Sequence, residues 1–403
     1  MRFILFVAAA ALFVSCASRK PFAGDAQAHA NKLAQQLIIV DGHIDVPYRL
    51  NAKMEDISIR TPGGDFDYVR AKQGGLDAPF FSIFTPADLE EKGGSKALAD
   101  KLIDDVEKII AQSPDKFALA KTVADVYKIS AAKKIAILYG MENGSPIEGK
   151  LTNLDHFFER GVRYITLCHG KDNHICDSSY DTRHSAQGLT KFGEEVVRRM
   201  NELGIVIDVS HISDDAFYDV INLSKAPVFA SHSSCREFTP GFERNMSNEM
   251  IRILAKHGGV IMINFGSAFI RDDIRTRSGP IYQKIADYLK ENNIPQFDPR
   301  AQEIENKIFA EANLGYATVQ DVAEHIEHVI KIAGVDYVGL GSDFDGVGDS
   351  LPTGLKDVSM YPNLIAELLK RGYNDSEIKK ICGGNALRVM EGVEATARKL
   401  SKK

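Results

Sequence analysis

Leu37 to Tyr48 reads LIIVDGHIDVPY, an apolar run that ends abruptly in His43-Ile44-Asp45. Alternate residues of a β-strand face the same side, so a strand here aims His43 and Asp45 at one spot as a ready pair of metal ligands. Alone, such a triplet reads more readily as a capped strand end with a satisfied histidine. The rest of the chain reverses that reading.

Runs of the same kind recur at Ala78 to Thr85, Ile135 to Tyr139, Val162 to Leu167, Ile205 to Val209, Pro227 to Ala230, Val260 to Phe265 and Tyr337 to Leu340. Amphipathic helical stretches separate them. Strand-helix alternation argues a parallel sheet, and the eight runs, counting the first, argue closure into a (β/α)8 barrel of the α/β class. A doubly wound open sheet is the rival, but no Gly-x-Gly-x-x-Gly turn follows any run. Asn51 to Asp77, rich in glycine and charge, reads as a surface loop or cap, and Pro86 to Ala111 as helical. No repeat or linker divides residues 37–392, which read as one domain; 393–403 read as a C-terminal tail.

With 403 residues, 44% of them hydrophobic and 26% charged, the chain can bury a large core. A net charge of −6 with interspersed signs offers no basic stripe, which excludes nucleic acid as a partner. At the N-terminus, Arg2 precedes an apolar run from Phe3 to Val14, too short to span a bilayer and placed where a secretion signal belongs. The run closes at Phe13-Val14-Ser15-Cys16, which resembles a bacterial lipobox. Residues 1–16 are therefore expected to be a signal peptide of lipoprotein type, with Cys16 as lipid anchor and the protein exported to the periplasm or cell envelope. Ordinary cleavage near Ser15 to Ser18 without lipid is the alternative. Residues 17–36 read as a tether and a lead-in helix from Gln27 to Gln36. Cys168 and Cys176 could bridge a loop in an oxidising compartment, although buried free thiols fit them equally, as they fit Cys235 and Cys382.

Barrel enzymes place their chemistry where strands run out at the C-terminal rim. The runs end in His43 and Asp45, in Glu142, in His169, in Asp208-Val-Ser-His211, in Ser231-His232, and in Asp343-Phe-Asp345. Of only 11 histidines, four sit at such ends. A two-metal hydrolytic site needs a carboxylate to bridge the ions, imidazoles and a second carboxylate to complete each shell, and an open position for water. His43, Asp45, Glu142, His211 and His232 supply those parts. Oxygen and nitrogen ligands without thiolates suit zinc, with manganese and iron as alternatives. Asp208 could support a metal histidine from behind. His325 and His328, three apart on a helical stretch, read as a solvated face.

In these residues the chain resembles the membrane dipeptidases, also called renal dipeptidases, zinc enzymes of the amidohydrolase-like barrel group. The matching stretches are Asp41-Gly-His-Ile-Asp45, Arg163-Tyr-Ile-Thr-Leu-Cys-His169, Gly188-Leu-Thr-Lys-Phe-Gly193, Asp208-Val-Ser-His211, Ser231-His-Ser233, Arg244-Asn-Met246 and Gly341-Ser-Asp-Phe-Asp-Gly346. The resemblance implies two zinc ions, one held by His43 and Asp45, the other by His211 and His232, with Glu142 bridging both. It further implies that His169 contacts the scissile carbonyl, that Arg244 binds the substrate carboxylate, and that Asp343 is the acid-base group, leaving Asp345 structural. The activity implied is hydrolysis of dipeptides, including those with a C-terminal D-residue, by a bridging hydroxide. Glu142-Asn143 departs from the family's usual Glu-Gly, and the long charged insert from Ile270 to Glu311 bears on the shape of the pocket. Two other functions stay open: a metal-dependent amidohydrolase of N-acyl amino acids or lactam rings, and a non-catalytic surface binding lipoprotein. Assembly as a homodimer is also left open.

Overall fold

The first strand, β1 (Ile39–Ile44), is buried along its whole length, because neighbours and helices cover it on every side. The computed structural model describes residues 19–294 and 299–402. Eight further strands follow: β2 (Leu76–Phe84), β3 (Phe117–Leu119), β4 (Ile135–Glu142), β5 (Val162–Thr166), β6 (Val206–Asp208), β7 (Phe229–Ala230), β8 (Val260–Ile263) and β9 (Val338–Leu340). All pairings between them are parallel. The order runs β2-β1-β9-β8-β7-β6-β5-β4, and β2 pairs with β4 to close an eight-stranded barrel. This is the expected (β/α)8 architecture, and each expected run supplies one barrel strand.

The extra strand, β3, was not expected. It pairs with the start of β4, from Phe117↔Ile135 to Leu119↔Ile137, whereas β2 pairs with the end of β4, from Phe80↔Leu138 to Phe84↔Glu142. β4 therefore changes partner half-way, and only its rim half belongs to the closed barrel. Alternation along the strands divides the core. Val40, Phe80, Leu138, Tyr164, Phe229 and Met262 belong to one buried cluster, and Ile39, Phe81, Ile137, Ile165 and Ile261 to another, larger one; helix residues join both.

Local chemistry sets the helix ends. The helix Lys191–Leu203 opens at Thr190, whose side chain accepts the Gly193 N–H, and stops at Gly204 in the left-handed region. Thr122 with Asp125, and Thr318 with Asp321, form reciprocal capping boxes.

Two expected segments differ. The excursion from Asn51 to Asp77 contains the end of the helix Val46–Ala52 and all of Tyr68–Gly74; the Asp67 side chain caps the second and also pairs with Arg70 at 2.6 Å. The expected tail from 393 is instead the last part of the helix Asn385–Leu400, and Val393 is buried with Val389 and Met390 as the apolar stripe continues. The lead-in helix expected from Gln27 to Gln36 is present as Ala26–Ala34 and buries Ala30 and Leu33, in contact with the helix Tyr361–Lys370. The insert from Ile270 to Glu311 forms the helices Asp272–Glu291 and Pro299–Ala312, with a small core of Ile285, Leu289, Ala301 and Ile308. The signal segment and Cys16 lie outside the described residues.

Candidate metal centre

The rim ends of the strands bring the expected residues together. His43 lies in β1 and Asp45 follows it, Glu142 ends β4, and His211, His232 and Asp343 follow β6, β7 and β9. Glu142 is the hub. Its Oε2 lies 3.3 Å from His43 Nε2, while its Oε1 lies 3.0 Å from His211 Nε2 and 3.3 Å from His232 Nε2. His43 Nε2 is also 3.3 Å from Asp45 Oδ2. His169, beyond β5, comes to 3.7 Å from Glu142 Oε1. Three overlapping groups have ligand atoms within 4.8 Å of one another: His43, Glu142, His232; Glu142, His169, His211; and His43, Asp45, Asp343. His169, expected only at the substrate carbonyl, thus also lies within reach of a metal.

Hydrogen bonds fix this set from behind. Tyr164 Oη is 2.7 Å from His43 Nδ1, and Ser231 Oγ is 2.7 Å from His232 Nδ1. Asn264 Nδ2 donates to Asp343 Oδ2 at 2.8 Å, and Ser82 Oγ donates to Glu142 Oε2 at 3.3 Å. Asp41 accepts the backbone N–H groups of His43 and Ser342 at 2.9 and 3.0 Å, tying β1 to the turn after β9. Nothing in the sequence marks Tyr164, Asn264 or Ser82 for these roles, because a tyrosine or serine inside a strand pattern looks like ordinary core. Ser231 alone carries a signal, its adjacency to His232. His211 and Asp343 sit at φ 71° and 63°, in the left-handed region, which is uncommon for non-glycine residues and which Asp and His enter more readily than most.

The electrostatics suit cation binding. Burial acts to raise the Glu142 carboxyl, but His43 and His169, with hydrogen bonds from His211 and His232, hold it well below the ordinary value. Burial, reinforced by Arg244, holds His211 and His232 well below the usual imidazole range, leaving neutral rings with lone pairs to offer. Burial opposes a charge on His43 too, yet Tyr164, Glu142 and Asp45 outweigh it and raise that group. Burial also raises Asp343, to about 7. Three carboxylates beside imidazoles, with no thiolate among the grouped donors, match the donor preferences of a zinc-class ion. The buried His43 Nε2 and His211 Nδ1 have no hydrogen-bond partner among the described residues.

Arg244 lies beside the cluster, 3% exposed. Nη1 donates to Ser233 Oγ at 2.9 Å and Nη2 to the His232 carbonyl at 2.8 Å, while Nε is buried with no partner among the described residues. Asp345 stands apart, 3.1 Å from Arg49 Nε and accepting the Asp65 N–H.

A family model described as "Membrane dipeptidase (Peptidase family M19)" matches residues 27–403. The chain belongs to this family. It is a metallo-dipeptidase by that membership, and its relatives agree. Dipeptidase ataJ of Aspergillus terreus is 33% identical over 400 residues, covering 90% of this chain and 87% of that protein. The crystal structure of the probable dipeptidase PvdM from Pseudomonas aeruginosa superposes with a TM-score of 0.80 at 27% identity, covering 92% of this chain and 99% of that one. A metallo peptidase from Rhodobacter sphaeroides, liganded with a phosphinate mimic of the dipeptide L-Ala-D-Ala, shares the fold with a TM-score of 0.72 at 23% identity, covering 89% and 99%.

The remaining candidates of the dipeptidase fall outside the centre. His325 is buried, not solvated: its Nδ1 accepts the Cys235 N–H at 3.1 Å and its Nε2 lies 3.0 Å from the Ile270 carbonyl. His328 turns to Asn248 at 2.7 Å. Cys168, Cys176, Cys235 and Cys382 are buried free thiols. No described helix is long and apolar enough to cross a membrane.

Proposed function

We propose that the dipeptidase holds two zinc ions, one at His43 and Asp45 and one at His211 and His232, with Glu142 between them. The observation that carries this reading is the division of the Glu142 carboxylate, one oxygen toward His43 and the other toward His211 and His232. Zinc bound there would supply Lewis acidity and activate water for attack on the scissile carbonyl.

The protein's own groups do the rest. His169, kept mostly neutral by burial, donates a hydrogen bond to the scissile carbonyl as negative charge develops on its oxygen. Asp343, oriented by Asn264, takes the proton and returns it to the leaving amine. Arg244, fixed by Ser233 and the His232 carbonyl, has Nε and one hydrogen on each Nη left for the C-terminal carboxylate. A peptide longer by one residue places a neutral amide there and leaves the buried guanidinium unpaired, at about 2–5 kcal/mol. A carboxylate clamp tolerates either hand at the C-terminal residue, in keeping with the L-Ala-D-Ala mimic bound by the Rhodobacter sphaeroides relative. In the cell the protein is exported and anchored by lipid at Cys16.

The test combines metal analysis with a substrate panel of dipeptides, their C-terminal amides and N-acyl amino acids. Chelation abolishes turnover, zinc restores it, L-Ala-D-Ala is cleaved and amides are nearly inert. Metal-free protein that still cleaves dipeptides ends the metal reading. Equal kcat/KM for amides and free acids ends the Arg244 clamp, and preference for N-acyl amino acids reassigns the substrate.

A further inference from the structure

His232 is held by a relay that determines which of its ring nitrogens can bind a metal. Ser231 Oγ lies 2.7 Å from His232 Nδ1 and donates its hydrogen to Asp208 Oδ2, also at 2.7 Å. A hydroxyl has one hydrogen, and an ionised carboxylate only accepts. With that hydrogen committed to Asp208, Ser231 can only accept at His232, so Nδ1 carries the imidazole proton and Nε2 turns its lone pair to the cluster. Asp208 is itself immobilised: Oδ1 accepts the backbone N–H of Ser210 at 3.1 Å and of Ser231 at 2.8 Å, and Oδ2 also accepts the Thr166 hydroxyl. All of these residues are fully buried. His43 is held separately, by Tyr164.

The geometry points to Asp208, acting through Ser231, as a positioning residue that locks His232 into the metal-binding tautomer and governs only the ion shared with His211. The inference rests on the two-ion reading above. It makes an unusual prediction for Asp208→Asn, which keeps an oxygen for the two backbone donors but places an N–H where Oδ2 was. Ser231 then accepts from the amide and turns its hydrogen toward His232 Nδ1, which drives the ring proton onto Nε2 and blocks the ligand atom. Ser231→Ala merely releases the tautomer. Asp208→Asn is therefore the more damaging change, and adding Ser231→Ala to it restores part of the lost affinity. If the two changes acted only through independent packing damage, their costs would add and the double variant would be the worst of the three.

The experiment is stepwise titration of chelator-stripped full-length protein with zinc, followed by calorimetry and metal analysis. The parent binds two equivalents. Asp208→Asn weakens one of them by about 10- to 100-fold and leaves the other tight, which also reports that the variant is folded; Ser231→Ala weakens the same one less, and the double variant binds it more tightly than Asp208→Asn. The inference is overturned if Asp208→Asn or Ser231→Ala weakens both equivalents together or neither, or if the double variant is worse than Asp208→Asn. Fewer than two equivalents in the parent overturns the two-ion reading and this inference with it, whereas failure in the variants alone leaves that reading standing.

Discussion

Asp343 shows how one side chain is prepared by its surroundings. Burial, with Asp45 and Glu142 beside it, raises its carboxyl from 3.8 to about 7 against the opposing pull of His43, and Gly346 gives it room, since a Cβ there would stand 2.2 Å from Asp343 Oδ1 and 2.3 Å from Asp45 Oδ2. A group poised near neutrality can both take and return a proton. Asp343→Asn should lower kcat by about two orders of magnitude or more while zinc content stays near that of the parent; loss of both ions would identify Asp343 as a ligand. The same shift predicts a stability effect in chelator-stripped protein. A carboxyl whose folded pKa is raised binds more protons folded than unfolded between 3.8 and about 7, so its contribution is fully present below that window and is lost as pH rises through it. Asp343→Asn should gain on the parent by about 1–3 kcal/mol at pH 8 and by nothing at pH 3.5, read as the difference in denaturation midpoints.

At the scale of the element, β4 carries the centre because of what its glycine omits. A Cβ on Gly140 would stand 2.0 Å from Tyr164 Cζ, and Tyr164 holds His43. Gly140→Ala should cost about 1–3 kcal/mol through overpacking and, by displacing the Tyr164 hydroxyl, weaken zinc binding at the His43 side. Unchanged midpoint and metal content would show that the ring can move aside freely. Strand order and the rim positions of His43, Asp45, Glu142, His211 and His232 were legible in the sequence, because a parallel strand buried on both faces reads as an apolar run and its chemistry begins where the run stops. β3 was not legible: three residues, Phe117–Leu119, give no periodicity. Nor were most of the supports: Tyr164 owes its role to His43 on another strand, and Ser231 showed its adjacency to His232 but not its bond to Asp208. Helix continuation past residue 392 has a signal in Val389 and Val393, one helical turn apart on the buried stripe.

The whole molecule suggests which way the barrel faces. In a (β/α)8 barrel the helices run back from the rim, so the C-terminal end of Tyr361–Lys370 lies on the face opposite the centre. The start of the described chain is fastened there: Arg19 pairs with Glu377 at 2.7 Å and stacks on Tyr373 at 4.0 Å, and the Phe22 N–H donates to the Leu369 carbonyl at 3.2 Å. A lipid on Cys16, three residues earlier, would therefore hold the barrel by its far face, with the substrate mouth turned outward from the membrane. An anchor on that face would be remote from the rim that carries the chemistry. Cys16→Ser should move the protein from the membrane fraction to the soluble fraction with kcat/KM for dipeptides unchanged. Equal partitioning of variant and parent into the soluble fraction would support plain secretion. Membrane retention by the variant would place the anchor elsewhere, and a changed kcat/KM would show that the far face communicates with the rim.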